Sequence, residues 1–385
     1  MSNGIEATTA LLIEPLAPVR RDDCLHCAAR ICFPDGREDT LWFEVAPDTP
    51  VTSLADPFLV AMLFEGMARN VPVRVKGSVS AGLLYRLEEF MAVWAQFVPA
   101  RYHRVALEVD QVVADPPPAR AALSTFSGGA DSCFTAFRHA QGDPRYPRID
   151  AGLMVHGLDI PLDDPAFASA MASSAQMLAS LDMSLVWVRT NIRSVNRQRW
   201  GYIFATALAA CGHLLSPAFG RLYIPSSFAL SAGELVNGSN PLSDPMLASE
   251  ALQIVHDGAT HTRAVKLRTI SEWPAAMQGL RVCWEGAQRD ANCCRCEKCI
   301  RNMLNFQLEG LPVPPAFPLP LTPEAIRSLK LGPTEVIIWK LLNRSARGDE
   351  RLPAPIRAAI SDVTRRMSWR NATKRWSRRL RGRHV

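Results

Sequence analysis

The sequence predicts an α/β protein with a parallel sheet covered by helices on both faces, an N-terminal α+β domain and a metal-binding segment. Three observations lead to this fold class. Strand and helix patterns alternate from residue 121 onward, a proline run at 116–118 separates them from an earlier pattern, and five of the ten cysteines lie within 283–299. Apolar residues make up 48% of the 385 residues and charged residues 21%, which excludes a wholly disordered chain.

The first region, residues 1–115, is expected to form an N-terminal α+β domain of unknown role. Alternation, β-branched content and helical spacing predict its elements. These are strands at 41–45, 71–75 and 103–113 and helices at 57–70 and 83–98. The run of residues 114–118, with its three prolines, is a stiff break, and we place the domain boundary there.

The second region, residues 120–310, alternates strands with helices. We expect strands at 121–126, 151–156, 184–189 and 221–226, and helices at 132–140, 165–181 and 200–215. The strands are short apolar runs, typical of parallel strands that are buried on both faces. This alternation predicts a parallel sheet with a ligand at the carboxyl ends of its strands.

The third region, residues 311–385, is expected to contain a proline-rich connector, a small helical part and a basic tail. The tail from Arg365 to Val385 holds eight Arg, one Lys and no acid. Without these nine charges the net charge of +6 becomes 6 − 9 = −3, so the basic character belongs to the tail. Such a tail suits contact with nucleic acid or an anionic membrane surface, and a simple solvated tail is the alternative.

The location of the protein is predicted from what the chain lacks. The longest nearly apolar stretch, Tyr202 to Leu215, is shorter than the roughly 20 residues that span a bilayer, and residues 1–15 have no export-signal pattern. We therefore expect a cytoplasmic protein, whose cysteines serve metal binding or catalysis rather than disulfides. The N-terminal group Cys24, Cys27 and Cys32, with His26, is a second metal site, a sulfur-handling pair or a set of residues on an edge strand or turn.

A glycine-rich hexapeptide, Ser127-Gly128-Gly129-Ala130-Asp131-Ser132, follows the first strand of the alternating region. Two consecutive glycines allow positive φ and a close approach of the backbone to a ligand. The helix that follows aims its free N–H groups at the same space, which suits an anion. The two serine hydroxyls add donors, and the Asp131 carboxylate suits Mg²⁺. The sequence contains neither a Walker motif nor a dinucleotide fingerprint.

This hexapeptide resembles the SGGxDS signature of the PP-loop ATP pyrophosphatases. The resemblance implies a Rossmann-like sheet that binds ATP and Mg²⁺ and cleaves ATP between its α and β phosphates. Residues 127–132 would then bind the pyrophosphate and Mg²⁺, with Asp131 and Ser132 catalytic. Val155 and His156, at the end of the second strand, would border the adenine.

A cysteine cluster carries the second motif. Cys293, Cys296 and Cys299 follow each other with two-residue gaps, and Cys283 lies upstream. Four thiolates converging on one centre match tetrahedral Zn²⁺ with a closed shell, so the sequence predicts a structural zinc. Cys294 is an alternative to Cys293, and an iron–sulfur cluster or unliganded thiols are the other interpretations.

The segment around these cysteines resembles the zinc segment of the 7-cyano-7-deazaguanine synthases, in which a C-x-x-G opening precedes C-x₂-C-x₂-C. Cys283 and Gly286 supply the opening here, and the gap that follows is one residue longer. The resemblance covers roughly residues 121–310. It implies a substrate loop and a basic residue near the phosphates, for which Asp244 and Arg263 are the candidates, with Lys266 as a weaker one.

Together the two resemblances imply an enzyme that adenylates a carboxylate or amide oxygen of an acceptor and then installs nitrogen, giving an amide or nitrile. The acceptor would be a small molecule or a modified base, and ammonia would supply the nitrogen. One alternative is a sulfur-inserting enzyme that acts on a nucleobase or tRNA with a sulfur donor. Another is a non-catalytic nucleotide- or nucleic-acid-binding regulator. The sequence leaves a homodimer open.

Overall fold

The structure is a computed structural model that describes residues 9–114, 116–230, 233, 236–283 and 289–366. By its contacts the chain divides into two compact units, Met1–Thr262 and Arg263–Val385. Among the described residues, no helix has both the length and the apolar character needed to cross a membrane.

The first part of the first unit contains two helices among short strands. Its elements are β1 (Leu11–Pro15), β2 (Val19–Arg20), β3 (Leu25–Cys32), β4 (Glu38–Val45), α1 (Asp56–Arg69), β5 (Val73–Ser80), α2 (Ala81–Phe97) and β6 (Leu107–Val113). Helix α1 starts with a proline in its first turn and ends at Asn70, whose φ of 54° is left-handed. The helices and strands predicted here from the sequence are confirmed, with shifts of a few residues at their ends.

The second part of the first unit alternates strands and helices as predicted. Its elements are β7 (Ala121–Thr125), α3 (Ala130–Ala140), β8 (Ala151–His156), α4 (Ala166–Ala179), β9 (Ser184–Thr190), α5 (Ile192–Val195), α6 (Trp200–Leu214), β10 (Phe219–Pro225), a 3-10 helix (Asp244–Leu247) and β11 (Gln253–Asp257). Strand β11 is an addition to the predicted set.

The strands form one mixed sheet rather than the purely parallel sheet that the sequence predicts. Their order is β11-β10-β7-β8-β9-β4-β3-β1-β5-β6, with β2 beside β3. Strands β7 to β11 are parallel to one another. Strand β9 also pairs with β4, and this pairing is antiparallel, through Phe43–Thr190 and Glu44–Arg189. The antiparallel join brings residues 11–113 and 121–257 into one sheet.

Helices cover both faces of the parallel half. Leu153 of β8 shares a core cluster with Ala207 of α6, whereas its neighbour Met154 packs with Phe167 and Ala170 of α4. Because successive side chains of a strand point to opposite faces, α4 and α6 lie on opposite sides. The larger core also includes Phe43, so it continues into the N-terminal part. The boundary at 114–118 predicts that residues 1–115 fold as a separate domain, and this stays a prediction.

The N-terminal cysteines lie on or beside β3, which runs inside the sheet between β1 and β4. The expectation of an edge strand or turn is therefore wrong for Cys27 and Cys32, because the alternation in this segment is blurred by residues buried on both faces. Cys24 does lie in a turn, between β2 and β3, where its carbonyl accepts from the Arg21 N–H at 2.8 Å. Cys24, Cys27 and Cys32 are buried, and burial raises the pKa of Cys27 to about 11. In the part of the chain that the structure describes, they do not form a metal-ligand group.

The second unit is helical. Its elements are α7 (Arg263–Ser271), α8 (Pro274–Gly279), α9 (Glu297–Leu308), α10 (Pro323–Ser328), α11 (Pro333–Ala346) and a helical stretch over residues 354–366. The apolar sides of α9, α10, α11 and this last stretch share one core around Trp339, which is fully buried. The basic tail predicted from the sequence lies outside the described residues after position 366.

Candidate functional site

The parallel half of the sheet reverses its strand order between β7 and β10. After β7 the chain adds β8 and β9 on one side, and it then returns to add β10 and β11 on the other. In open α/β sheets such a reversal leaves a crevice beyond the carboxyl ends of the two strands, where ligands bind. Residues 127–132, the glycine loop, leave β7 at this position.

The backbone of the glycine loop is suited to lie close to a ligand. Gly128 has a φ of 73°, which side chains with a Cβ rarely adopt. Gly129 is the N-cap residue of α3 and is extended, with φ −81° and ψ 165°. The Phe126 N–H donates to the Leu153 carbonyl at 2.7 Å, which ties the start of the loop to β8.

Ser132 closes the glycine loop on itself. Its hydroxyl donates to the Gly129 carbonyl at 3.0 Å and accepts from the Ser127 N–H at 3.3 Å. The side chain is buried. In this structure Ser132 therefore shapes the loop, and its role as a direct anion donor stays a prediction.

Free backbone donors lie at the start of α3. Among the described residues, no acceptor pairs with the N–H groups of Gly128, Gly129 and Ala130. The positive end of the helix dipole lies at the same place, so the loop suits an anion such as a phosphate. Asp131 lies in the first turn and is half-buried, and carboxylate oxygens are ligands that Mg²⁺ accepts.

The far side of α3 is anchored to Asp257 at the end of β11. The carboxylate accepts from the Thr135 hydroxyl at 2.6 Å and from the Arg138 guanidinium, and His139 Nε2 lies 3.4 Å from it. Burial alone would raise the pKa of Asp257, but hydrogen bonds from His139 and Thr135 and the charge of Arg138 hold it below its ordinary value. This network fixes the direction in which α3 presents the glycine loop.

A small cleft opens at the carboxyl ends of β10 and β11. Its lining comprises Ser226, Phe228, Ala229, Leu230, Ser239, Asn240, Pro241, His256 and Ala259. His256 is the one imidazole in this lining, and its Nδ1 lies 2.8 Å from Asp244 Oδ2 and 3.2 Å from Ser239 Oγ. Its Nε2 bonds to no described residue. A carboxylate on one ring nitrogen orients the imidazole and leaves the other nitrogen for proton transfer.

Asp244, a predicted catalytic residue, lies behind this cleft. Its side chain is fully buried and accepts from the Ser239 hydroxyl at 2.6 Å and from the Asn240 N–H at 3.0 Å, besides its contact with His256. Asp244 therefore positions His256 in this structure. Direct contact between Asp244 and an acceptor stays a prediction.

The two residues predicted to border the adenine lie at the end of β8. Val155 is half-buried and packs against the main core. His156 stacks on Phe167 with a centroid distance of 4.0 Å, and its Nε2 lies 2.8 Å from the Pro161 carbonyl oxygen. Burial lowers the pKa of His156, so it is a neutral ring held by packing. Its place beside an adenine stays a prediction.

Arg263 and Lys266 both lie on α7 in the second unit. Arg263 is the first residue of the helix and is half-buried, whereas Lys266 is buried with 2% of its surface exposed. Both side chains have interaction partners. Their role at a phosphate stays a prediction.

The four predicted zinc ligands lie together in the second unit. All sulfur atoms of Cys283, Cys293, Cys296 and Cys299 lie within 4.8 Å of one another. The distance is 3.8 Å between Cys283 and Cys296 and 3.9 Å between Cys293 and Cys299. A tetrahedron with Zn–S bonds of about 2.3 Å has S–S edges of about 3.8 Å. These four residues therefore fit a metal such as zinc.

The charge balance of the four thiols also favours a cation. Hydrogen bonds from the Cys296 and Cys299 thiols hold the pKa of Cys283 far below its ordinary value. The hydrogen bond to Cys283 in turn raises the pKa of Cys296 to about 12, and the pKa of Cys299 is raised as well. One thiolate is thus stabilised by its neighbours while further ionisation is opposed by like charge. A divalent cation would remove that opposition.

Asn292 holds the two halves of the cysteine cluster together. Its Oδ1 accepts from the N–H groups of Val282 and Cys283, and its Nδ2 donates to the carbonyls of Leu280 and Ala316 at 2.7 and 2.9 Å. The side chain is buried, so each of these bonds matters. This scaffold places Cys283 beside the other three thiols despite the longer gap.

Cys294 points away from the cluster. Its φ of 55° is left-handed, its thiol lies 3.6 Å from the Asn292 carbonyl, and burial raises its pKa. Cys293 is thus the member of this adjacent pair that joins the metal-ligand group. Gly286, the other residue of the C-x-x-G opening, lies outside the described residues.

The comparisons with known proteins add no family. No protein-family model matches the chain, and searches of curated proteins and of solved structures find no match. The two resemblances therefore rest on their motif residues and on the places that the fold gives them.

Two residues of these sites have no motif to predict them. His256 is followed by Asp257 and Gly258, so the apolar strand β11 ends in polar residues. This polar end is the only local signal in the sequence that His256 faces a ligand crevice. Asn292 precedes the adjacent cysteines without any spacing rule that would single it out. Both depend on contacts between segments distant in sequence.

Proposed function

We propose that this protein is an ATP-dependent, AMP-forming ligase of the PP-loop type that adenylates an acceptor and then forms a C–N bond. The single observation that supports this most is the SGGADS loop, placed at the reversal point of the parallel half with Gly128 left-handed and free N–H groups beyond it. The β11-β10-β7-β8-β9 order matches a Rossmann-like, doubly wound sheet.

In the proposed reaction an acceptor carboxylate oxygen attacks the α-phosphorus of ATP. The bond from this phosphorus to the bridging oxygen breaks, and pyrophosphate leaves on the N–H groups of the glycine loop. Mg²⁺, when bound beside Asp131, would neutralise charge on the phosphates. The adenylate carbonyl is then attacked by ammonia, a C–N bond forms, and the C–O bond to AMP breaks.

We propose that His256 serves the second half of the reaction. Attack by ammonia leaves a positively charged nitrogen that must lose a proton, and His256 Nε2 is available to accept it. The buried Asp244 carboxylate stabilises the imidazolium that results. The acceptor would thus bind at the carboxyl ends of β10 and β11, over the small cleft that His256 lines.

The sulfur-inserting alternative receives no support from the extra thiols. Cys24, Cys27 and Cys294 are buried, and burial raises the pKa of each. A thiol with these properties is a poor nucleophile at neutral pH. A sulfur-inserting reaction would therefore depend on an external sulfur donor rather than on these three thiols.

The test is an analysis of products from Mg-ATP with ammonium and a small-molecule extract, in which a label on the α-phosphate follows AMP and, in a parallel reaction, a label on the γ-phosphate follows pyrophosphate. We expect AMP and pyrophosphate from the natural chain. Asp131→Asn should lower both products at least a hundredfold, because one ligand of the phosphate-bound metal is lost. Asp110→Asn is the matched control, because Asp110 is an exposed carboxylate on β6 at the opposite edge of the sheet.

The same assay separates the two half-reactions. His256→Gln should release pyrophosphate in a single burst while AMP formation falls about a hundredfold, because the adenylate forms but is not consumed. Formation of ADP instead of AMP would contradict the proposed cleavage. Normal AMP formation by His256→Gln would contradict the proposed role of this residue alone.

A further inference from the structure

A basic groove lies on the second unit between α11 and the helical stretch over 354–366. Its volume is about 530 Å³. The lining residues are Lys340, Asn343, Arg344, Arg347, Ser361, Thr364 and Arg365. Four of these seven are cations and none is an acid, so the groove has a strongly positive lining.

Three of the cations have no carboxylate partner. Lys340, Arg344 and Arg347 are exposed, and their side chains bond to no described residue. Other arginines of this unit do pair. They are Arg268 with Glu309, Arg301 with Glu297, Arg327 with Asp362 and Arg351 with Asp349. Like charges left together without counter-charges repel one another, so the groove is stabilised when an anion enters it.

The cations form a row rather than a ring. Lys340 and Arg344 lie one turn apart on α11, and Arg347 is the C-cap residue just after it. At a helical rise the seven positions cover about 10 Å. A single small anion would occupy only one point of such a row. A nucleic-acid strand carries a phosphate about every 3.4 Å along a duplex axis, so it presents several charges over this length.

The remaining lining also suits a sugar–phosphate backbone. Asn343, Ser361 and Thr364 offer amide and hydroxyl groups, which commonly contact phosphates and sugars. None of the seven lining residues is aromatic, so the groove has no platform on which a base could stack. The chain continues from Arg366 into residues 367–385, which add six Arg, one Lys and no acid.

We propose that this groove binds the phosphodiester backbone of a nucleic acid, independently of base sequence. Lys340, Arg344 and Arg347 contact successive phosphates. This binding site does not depend on the proposed ATP chemistry, because none of its residues belongs to the glycine loop, the cleft or the cysteine cluster.

The test measures binding of the full chain to a labelled 20-nucleotide single-stranded RNA of mixed sequence, and to the same strand in a duplex, by fluorescence anisotropy at several salt concentrations. The variant carries Lys340→Gln, Arg344→Gln and Arg347→Gln. The matched control carries Arg20→Gln, Arg74→Gln and Arg104→Gln, which remove the same charge from exposed sites of the first unit.

We expect the groove variant to bind single-stranded RNA at least tenfold more weakly than the control. Its slope of log affinity against log salt should fall by about 2, since each lost phosphate contact removes about 0.7. Unchanged affinity and slope in the groove variant would overturn the proposal, because the tail alone would then bind. Binding to vesicles of anionic lipid without binding to either nucleic acid would overturn it as well.

Discussion

Asp257 shows how one buried carboxylate can hold a functional helix in place. It joins the end of β11 to Thr135, Arg138 and His139, which lie one turn apart on α3. Its three partners are donors, so the ionised form is favoured in the folded protein. Unfolding would return this carboxyl to its ordinary pKa of 3.8.

Asp257→Asn is therefore expected to lower the free energy of unfolding by about 3 kcal/mol at pH 7, because the half-buried Arg138 loses its counter-charge. Since the folded pKa is below 3.8, the contribution of Asp257 is complete well above that value and is lost as pH falls through the folded pKa. Urea unfolding at pH 7, 5 and 3 measures this. The difference between the natural chain and the variant should narrow at pH 3, and a difference that widens there would contradict the assignment.

Gly128 and Ser132 show that the glycine loop is built for shape as well as for ligand contact. The left-handed φ of Gly128 turns the chain from β7 toward α3, and the Ser132 hydroxyl then closes the turn. Both residues would be required even without a ligand. Loss of ATP binding in a Gly128 or Ser132 variant would also follow from a changed loop shape. It is therefore weaker evidence for direct ligand contact than loss of ATP binding in an Asp131 variant.

The cysteine segment at the start of α9 is the element that could hold a metal. Three of its four thiols are close in sequence, but Cys283 is brought in through Asn292. The first turn of α9 contains Cys299 and follows Cys296, so the helix dipole also stabilises thiolates there. Removing the metal would leave these groups without the charge that holds them together.

We expect one zinc per chain in protein purified without chelators, measured by mass spectrometry of the metal. Cys296→Ser should lose most of that zinc and lower the unfolding temperature, because binding of a structural zinc contributes directly to folding free energy. Cys294→Ser is the matched control, since Cys294 is a neighbouring buried thiol that points to the Asn292 carbonyl. Equal zinc loss in both variants would contradict the ligand assignment.

The mixed sheet links the N-terminal part to the part that carries the glycine loop. Strand β9 pairs with β4, and α1 packs on α6. A chain that begins at residue 116 would expose the edge of β9 and the apolar surface that α1 covers. Exposed sheet edges and large apolar patches lead to aggregation.

Deletion of residues 1–115 should consequently give an insoluble or aggregated chain, whereas a chain of residues 1–262 should remain soluble and folded. Size-exclusion chromatography and circular dichroism of both truncated chains measure this. A soluble, monomeric and cooperatively unfolding chain of residues 116–385 would instead support the domain boundary predicted at residues 114–118.

Local patterns were sufficient for the elements and for the two motifs. Alternation of apolar residues predicts β4 to β6, short apolar runs predict β7 to β10, and helical apolar spacing predicts α1 to α4 and α6, because burial on a sheet or helix face leaves a mark in the local sequence. The hexapeptide and the cysteine spacing likewise predict the glycine loop and the four clustered thiols. Each of these features depends on residues that are near one another in the chain.

Contacts between distant segments determine the features that local patterns do not predict. The antiparallel pairing of β4 with β9 converts an expected parallel sheet into a mixed one, and strand pairing between separate regions leaves no periodic mark. The same holds for Asp244 behind His256 and for Asn292 between the two parts of the cysteine cluster. A side-chain hydrogen bond depends on a distance and an angle in space, and these are set only when the whole core has packed.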